Sequence, residues 1–161
     1  MVNLVDIFVI KIIKKNSVNP ASTYSLFDCG SSTNYFHIYF PDTHTLTVKS
    51  RVSNSTAMEL VSTRVFRDPS AWYNVIVAVD SEQGTAANRC NIYINGEQLT
   101  AFNSSNYGSQ NLDHEIQDAG TYHVIGTNYA VGSNEFFDGS MSHVHFCDGQ
   151  QLAPTVFGST D

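Results

Sequence analysis

Trp72-Tyr73-Asn74-Val75-Ile76-Val77-Ala78-Val79 is the stretch on which the fold turns. Its β-branched residues suit a pleated strand, where side chains alternate between the two faces. Tyr73, Val75, Val77 and Val79 therefore share one side, and Trp72, Asn74, Ile76 and Ala78 share the other. A face that is apolar from end to end has to pack on a second layer. Downstream, Asn95-Gly96 separates Asn91-Ile92-Tyr93-Ile94 from Glu97-Gln98-Leu99. That pair is what a type I′ hairpin turn requires, because both central residues take positive φ.

Outward from this hairpin the same strand signature recurs, as short alternating or β-branched and aromatic runs bounded by turn residues. The runs predict strands over 7–13, 23–28, 34–40, 44–51, 57–66, 72–79, 89–94, 97–102, 121–125 and 140–147. No helical apolar stripe of useful length interrupts them. Many short strands without helices leave a sandwich or a closed barrel. The polar stretches 80–88 and 103–120 are the loops long enough to carry function.

A chain of 161 residues fits one domain spanning 1–161 and buries enough surface to fold without disulfides. Ten Phe, eight Tyr and one Trp supply the core, while only 14% of residues are charged, so Ser, Thr, Asn and Gln must solvate the surface. The net charge of −7 argues against nucleic acid as a partner, since phosphate backbones demand clustered cations. The apolar run from Val2 to Ile13 carries Asp6 and Lys11 and is too short for membrane insertion, which takes about 20 residues. Lys11, Lys14 and Lys15 read as a solvated strand end. Cys29, Cys90 and Cys147 have no metal-like spacing and cannot all pair within the chain, so they read as small buried apolar residues, reduced as in a cytosol.

The string Phe66-Arg67-Asp68-Pro69-Ser70-Ala71-Trp72-Tyr73, then Val77-Ala78-Val79-Asp80, Asn88-Arg89 and Ile92-Tyr93-Ile94-Asn95-Gly96, resembles the concanavalin A-like lectin/glucanase superfamily. More narrowly it is similar to laminin-G/pentraxin-like modules of tail, fibre and capsid proteins in bacteriophage and marine-virus virions. Phe137-Asp138-Gly139-Ser140-Met141, Val144-His145-Phe146, Asp148-Gly149-Gln150, Leu152-Ala153-Pro154 and Phe157-Gly158 resemble the closing part of those modules. The resemblance implies an all-β antiparallel sandwich, a jelly roll. It also implies a virion module assembled in the host cytoplasm, in contact with other virion proteins and with host glycans. Family members usually continue at both ends, so the terminal strands are expected to be truncated or completed by a partner. An unpaired edge invites strand addition and hence a homo-oligomer or a larger particle. Locally, Asp68-Pro69-Ser70 suits a turn into a strand, and Trp72 and Tyr73 offer packing area at its start.

Catalysis has little support in the residues. The resembling hydrolases carry Glu-x-Asp-x-x-Glu on one strand, to set two carboxylates across a sugar bond, and this string does not occur. Asp113, Glu115 and Asp118 sit in a polar loop. No Gly-x-Ser-x-Gly elbow is present. His143, His145 and Cys147 share a strand face on which metal ligation is geometrically allowed, but exposed polar residues opposite an inward Val144 and Phe146 are the simpler reading. His114 and His123 lack a partner in sequence. Calcium, which laminin-G and pentraxin modules often hold, has hard oxygen donors available in Asp80, Asn88, Asn134, Glu135 and Asp138. For sugars the usual kit is an exposed ring with planar polar groups around it. Tyr107 and Tyr129, with Asn103, Asn106, Gln110 and Asn128, form the candidate glycan rim. A virion adhesion module, a stand-alone lectin and a diverged glycan hydrolase are the three competing functions, in that order.

Overall fold

The computed structural model describes residues 23–118, 120–128, 135–150 and 152–157, together with the backbone of 5–15. Its strands are β1 (Val5–Lys15), β2 (Tyr24–Gly30), β3 (Tyr35–Phe40), β4 (Thr45–Val52), β5 (Ser55–Val65) and β6 (Tyr73–Asp80). They continue as β7 (Cys90–Ile94), β8 (Glu97–Gln98), β9 (Phe102–Asn106), β10 (His123–Ile125) and β11 (Gly139–Asp148). One sheet of five strands has the order β11-β1-β6-β7-β8, and a second of six has the order β10-β2-β3-β4-β5-β9. Every pairing is antiparallel. No described helix is long and apolar enough to cross a membrane.

The two sheets face each other across one core, which makes the fold an antiparallel β-sandwich. Leu26, Phe36, Ile38, Phe40, Leu46, Met58 and Leu60 come from the six-stranded sheet, and Val75, Val77, Val79, Ile92 and Ile94 from the other. Phe36, Phe40 and Phe66 are fully buried, each stabilising by roughly 2–3 kcal/mol through area removed from water. The pattern Tyr73, Val75, Val77, Val79 thus faces inward as the alternation requires. Ile76 and Ala78 on the opposite side are buried too, because Leu152 and Phe157 fold back over them beside Tyr93 and Cys147. All three cysteines are free, Cys29 and Cys90 buried and Cys147 half-buried, and burial pushes the Cys90 thiol up to about 12.

Local turn chemistry holds as expected. Asn95 and Gly96 take φ of 53° and 83°, and the Asn95 side chain accepts the Asn74 N–H at 2.8 Å. Asp68 Oδ1 accepts both the Ser70 N–H at 2.8 Å and the Ser70 hydroxyl at 2.6 Å; these bonds hold its carboxyl below the ordinary range. Two expectations need correction. The run 97–102 is split: β8 ends at Gln98, and the chain then crosses to the other sheet, where Phe102–Asn106 forms an edge strand inside the expected loop 103–120. Trp72 precedes the first paired residue of β6 and stays 49% exposed, leaving Tyr73 alone to pack. Phe146 does face inward, as expected, in register with Phe8 and Val77 and stacked on the buried Phe27 at 6.5 Å, but it stays 43% exposed because it sits at the open edge between the sheets.

Candidate functional site

Antiparallel register lines up residues that are far apart in sequence on the outer face of the six-stranded sheet. Because Phe36, Ile38 and Phe40 point inward, Tyr35, His37 and Tyr39 point out. Asp28 pairs with His37, His37 with Lys49, Lys49 with Glu59 and Glu59 with Asn106, a polar file across five strands. Lys49 Nζ lies 3.0 Å from Glu59 Oε1.

Half of this file is covered and half is open. The Ser25 hydroxyl donates to the Thr127 carbonyl at 2.7 Å and lies 3.0 Å from His37 Nε2. With its one proton spent on Thr127, the hydroxyl accepts from His37, which places the imidazole proton on Nε2. This relay fastens the segment after β10 across β2 and β3. His37, buried and stacked on Tyr39 at 4.2 Å, is driven down to about 3, by burial first and then by Lys49. Burial, then the Glu59 charge, raises Tyr39 to about 12. Beyond the cover, Lys49 and Glu59 are partly exposed and Asn106 is exposed.

The six residues expected to form a glycan rim separate into two groups. Asn103, Asn106, Tyr107 and Gln110 lie together along β9 and the turn after it. Asn103 Nδ2 donates to the Ser62 carbonyl at 3.1 Å, Asn106 Oδ1 accepts the Gly108 N–H at 3.1 Å, and Gln110 Nε2 donates to the Glu82 carbonyl at 2.8 Å. Tyr107 is half-buried, edge-on to Phe102 at 6.3 Å. Asn128 follows Thr127, whose carbonyl accepts the Ser25 hydroxyl, so it lies over β2, with β3, β4 and β5 between it and β9. There it donates to Glu135 Oε2 at 2.8 Å. Tyr129 lies outside the described residues.

The calcium donors do not converge. Asp80 accepts the Glu82 N–H at 3.1 Å and the Gln83 amide at 2.6 Å, which closes the turn that leads to Asn88. Val5 pairs with Asp80 and Lys15 with Gly139. Asp80 and Asp138 therefore sit at opposite ends of β1, about 33 Å apart at the usual rise per residue. One ion cannot bridge Asp80 and Asn88 to Glu135 and Asp138, and Asn134 lies outside the described residues. Among the described residues no three His, Cys, Asp or Glu side chains gather as a metal-holding group. On β11, His143 takes a φ of 53° and bonds Ser142 Oγ at 2.6 Å. His145 approaches the Phe157 ring at 6.2 Å, while Cys147 packs on the outer apolar patch.

Two clefts were not foreseen. His114, the residue without a partner in sequence, closes one end of the core with Nδ1 2.8 Å from Ser50 Oγ and its ring edge-on to Phe36 at 5.7 Å. Burial lowers it to about 4. Beside it Asp113, Glu115, Gln117 and Asp118 line a polar cleft of about 340 Å³ with Asn34. A second cleft, also about 340 Å³, is apolar and lies between β10 and β11, with Phe27, His123, Ile125, Val144 and Phe146 as its walls.

Comparison with known proteins places this architecture. The chain matches the family described as the concanavalin A-like lectin/glucanases superfamily over residues 13–155, and it belongs to that family. No curated protein matches it. Among solved structures it is similar to the CBM40 of Ruminococcus gnavus IT-sialidase, at 19% identity and a TM-score of 0.70, covering 98% of this chain and 85% of that one. The same module bound to α2,3 sialyllactose matches at 20% identity and a TM-score of 0.64, covering 89% of this chain and 75% of that one. A heptameric SAP-like pentraxin from Limulus polyphemus matches at 20% identity and a TM-score of 0.61, over 99% and 70% of the two chains. At these identities the likeness speaks for the fold.

Proposed function

We propose that the chain is a non-catalytic carbohydrate-binding module that serves on a virion as a structural or adhesion part recognising host glycans. The observation that carries the glycan reading is the open half of the polar file, Lys49, Glu59 and Asn106, set in register over three adjacent strands. Rigid strands hold such groups without the ordering cost that flexible loops incur. Sheets of this family and a neighbour captured with sialyllactose support the same reading. Glu59 is neutralised by Lys49 at 3.0 Å, an arrangement suited to bonding hydroxyls rather than to protonating a leaving group.

The virion context rests on the likeness of the Asp68-Pro69-Ser70-Ala71-Trp72 and Phe137-Asp138-Gly139 strings to virion modules, and assembly in a host cytoplasm fits three free thiols. Its partners in this reading are further copies of itself or other virion proteins. In this reading binding needs no metal, which the separation of Asp80 from Asp138 along β1 supports. On a glycan array the wild type should retain a defined glycan set equally with and without chelator, and Lys49→Ala or Glu59→Ala should weaken retention about tenfold at little cost in stability, since exposed ion pairs stabilise by under about 1 kcal/mol. No retention of any glycan, or release of reducing sugar, would overturn the reading. Light scattering on the purified chain tests the oligomer, and a monomer that never co-purifies with particles removes the virion role.

A further inference from the structure

We propose that a small cleft at the β8–β9 edge of the sandwich is a binding site for one uncharged sugar ring. The proposal rests on the carbohydrate-binding reading and adds to it a second location and a ligand charge. The cleft measures about 190 Å³, somewhat more than the ~150 Å³ cavity that takes up benzene, so a single substituted six-membered ring fits.

Its walls differ in chemistry. Phe102 and Tyr107 present rings, which suit the C–H face of a sugar, and Asn88, Asn91, Gln98 and Thr100 present amides and a hydroxyl. Asn91 is spent internally: its Nδ2 donates to the Asn88 carbonyl at 3.3 Å and its Oδ1 accepts Gln98 Nε2 at 2.9 Å. That bond fixes the Gln98 amide while leaving its Oε1 without a partner among the described residues. The Asn88 side-chain amide and the Thr100 and Tyr107 hydroxyls likewise make no hydrogen bond to described residues, so polar groups that bond only solvent gather beside an aromatic wall.

Both walls are held in place by Arg89. Its Nε donates to the Gln83 carbonyl at 2.8 Å, Nη2 to Gly84 at 3.2 Å and Nη1 to Gly108 at 2.6 Å. The loop carrying Asn88 is thereby tied to the turn that follows Tyr107. With three N–H groups bonded to these carbonyls, the Arg89 guanidinium is held by backbone and is not among the residues that line the cleft. None of the residues lining the cleft is charged, in a chain of net charge −7. A carboxylated or sulfated sugar would lose hydration without meeting an ion-pair partner in the lining, whereas a neutral ring loses nothing of that kind.

The test uses immobilised glucose, galactose, mannose and N-acetylglucosamine oligosaccharides, with 3′-sialyllactose as the anionic counterpart. The full chain should hold at least one neutral sugar, insensitive to added salt. Asn88→Ala/Gln98→Ala should hold it at least about tenfold more weakly, the loss of two hydrogen bonds, with an unchanged melting curve because both side chains are exposed. Tyr107→Phe, which keeps the ring, should lose a few-fold. Unchanged neutral binding in these variants, or retention of sialyllactose alone, overturns the cleft and leaves the carbohydrate reading standing. Retention of no sugar at all overturns both.

Discussion

Acidification should unfold this protein through two histidines that are neutral in the folded state. His37 and His114 are lowered from 6.5 to about 3 and about 4, His37 by burial and the nearby Lys49, His114 by burial. As pH falls below 6.5 the unfolded chain takes up protons at both positions while the folded chain does not. The unfolded state then binds more protons, so the slope of unfolding free energy against pH is positive and stability falls with pH. The loss begins near 6.5 and is complete only when each folded pKa is passed. At pH 5 each residue lies 1.5 units below its unfolded pKa and still above its folded one, which costs about 2 kcal/mol per histidine and about 4 kcal/mol together.

Urea unfolding at pH 8 and pH 5 measures this directly. Far-ultraviolet circular dichroism is the better probe, because Trp72 is 49% exposed and reports poorly on the core. The wild type should lose about 4 kcal/mol between the two conditions, and His114→Gln or His37→Gln should each reduce that difference to about 2 kcal/mol whatever the variant's stability at pH 8. Ordinary carboxylates titrate below this window and drop out of the comparison. A wild type equally stable at both pH values, or single variants that keep the full difference, would refute the burial argument.

Two further outcomes follow from the packing. Gly30 takes φ +111°, and a Cβ there would run into the Asn34 carbonyl and the Tyr35 backbone; Gly30→Ala should cost at least about 2 kcal/mol, a fall in Tm of roughly 4–8 °C. Gly84→Ala, with nothing within 4 Å of the new atom, should leave Tm unchanged in the same calorimetric scan, and equal melting of the two variants would contradict the clash. Thiol titration with an aromatic disulfide should modify Cys147 alone in the folded protein, since Cys29 and Cys90 are buried and the Cys90 thiol is pushed up to about 12. Rapid reaction of all three without denaturant would show that the core opens.

What the residues disclose about this fold depends on how far apart the interacting groups lie. Asp68 accepts the Ser70 N–H two residues on and Asn95-Gly96 supplies the two positive φ values its turn needs, so both turns are legible by themselves, and alternation makes β3 to β7 legible because one face is apolar. β9 is hidden for the opposite reason. Its residues Phe102-Asn103-Ser104-Ser105-Asn106 have little strand preference, and only pairing with Glu59, Leu60, Val61 and Ser62 makes them a strand. Nothing near His37 or His114 in sequence supplies a partner, yet each is sealed by a remote contact, Ser25 with Thr127 in one case and Ser50, 64 residues away, in the other. The same limit divides both candidate sites. Asn103 and Asn128 are only 25 residues apart, but β9 pairs with β5 while the segment holding Asn128 follows β10 and is tied to Ser25 of β2, which puts three strands between them. Asp80 and Asp138 are separated by the length of β1, a strand some seventy residues before one of them. Residue types suited to a ligand are therefore readable from composition and loops, whereas their convergence is a property of strand register. Here that register assembles Lys49, Glu59 and Asn106 on one face and Asn88, Gln98 and Tyr107 around one cleft, groupings that no local pattern carries.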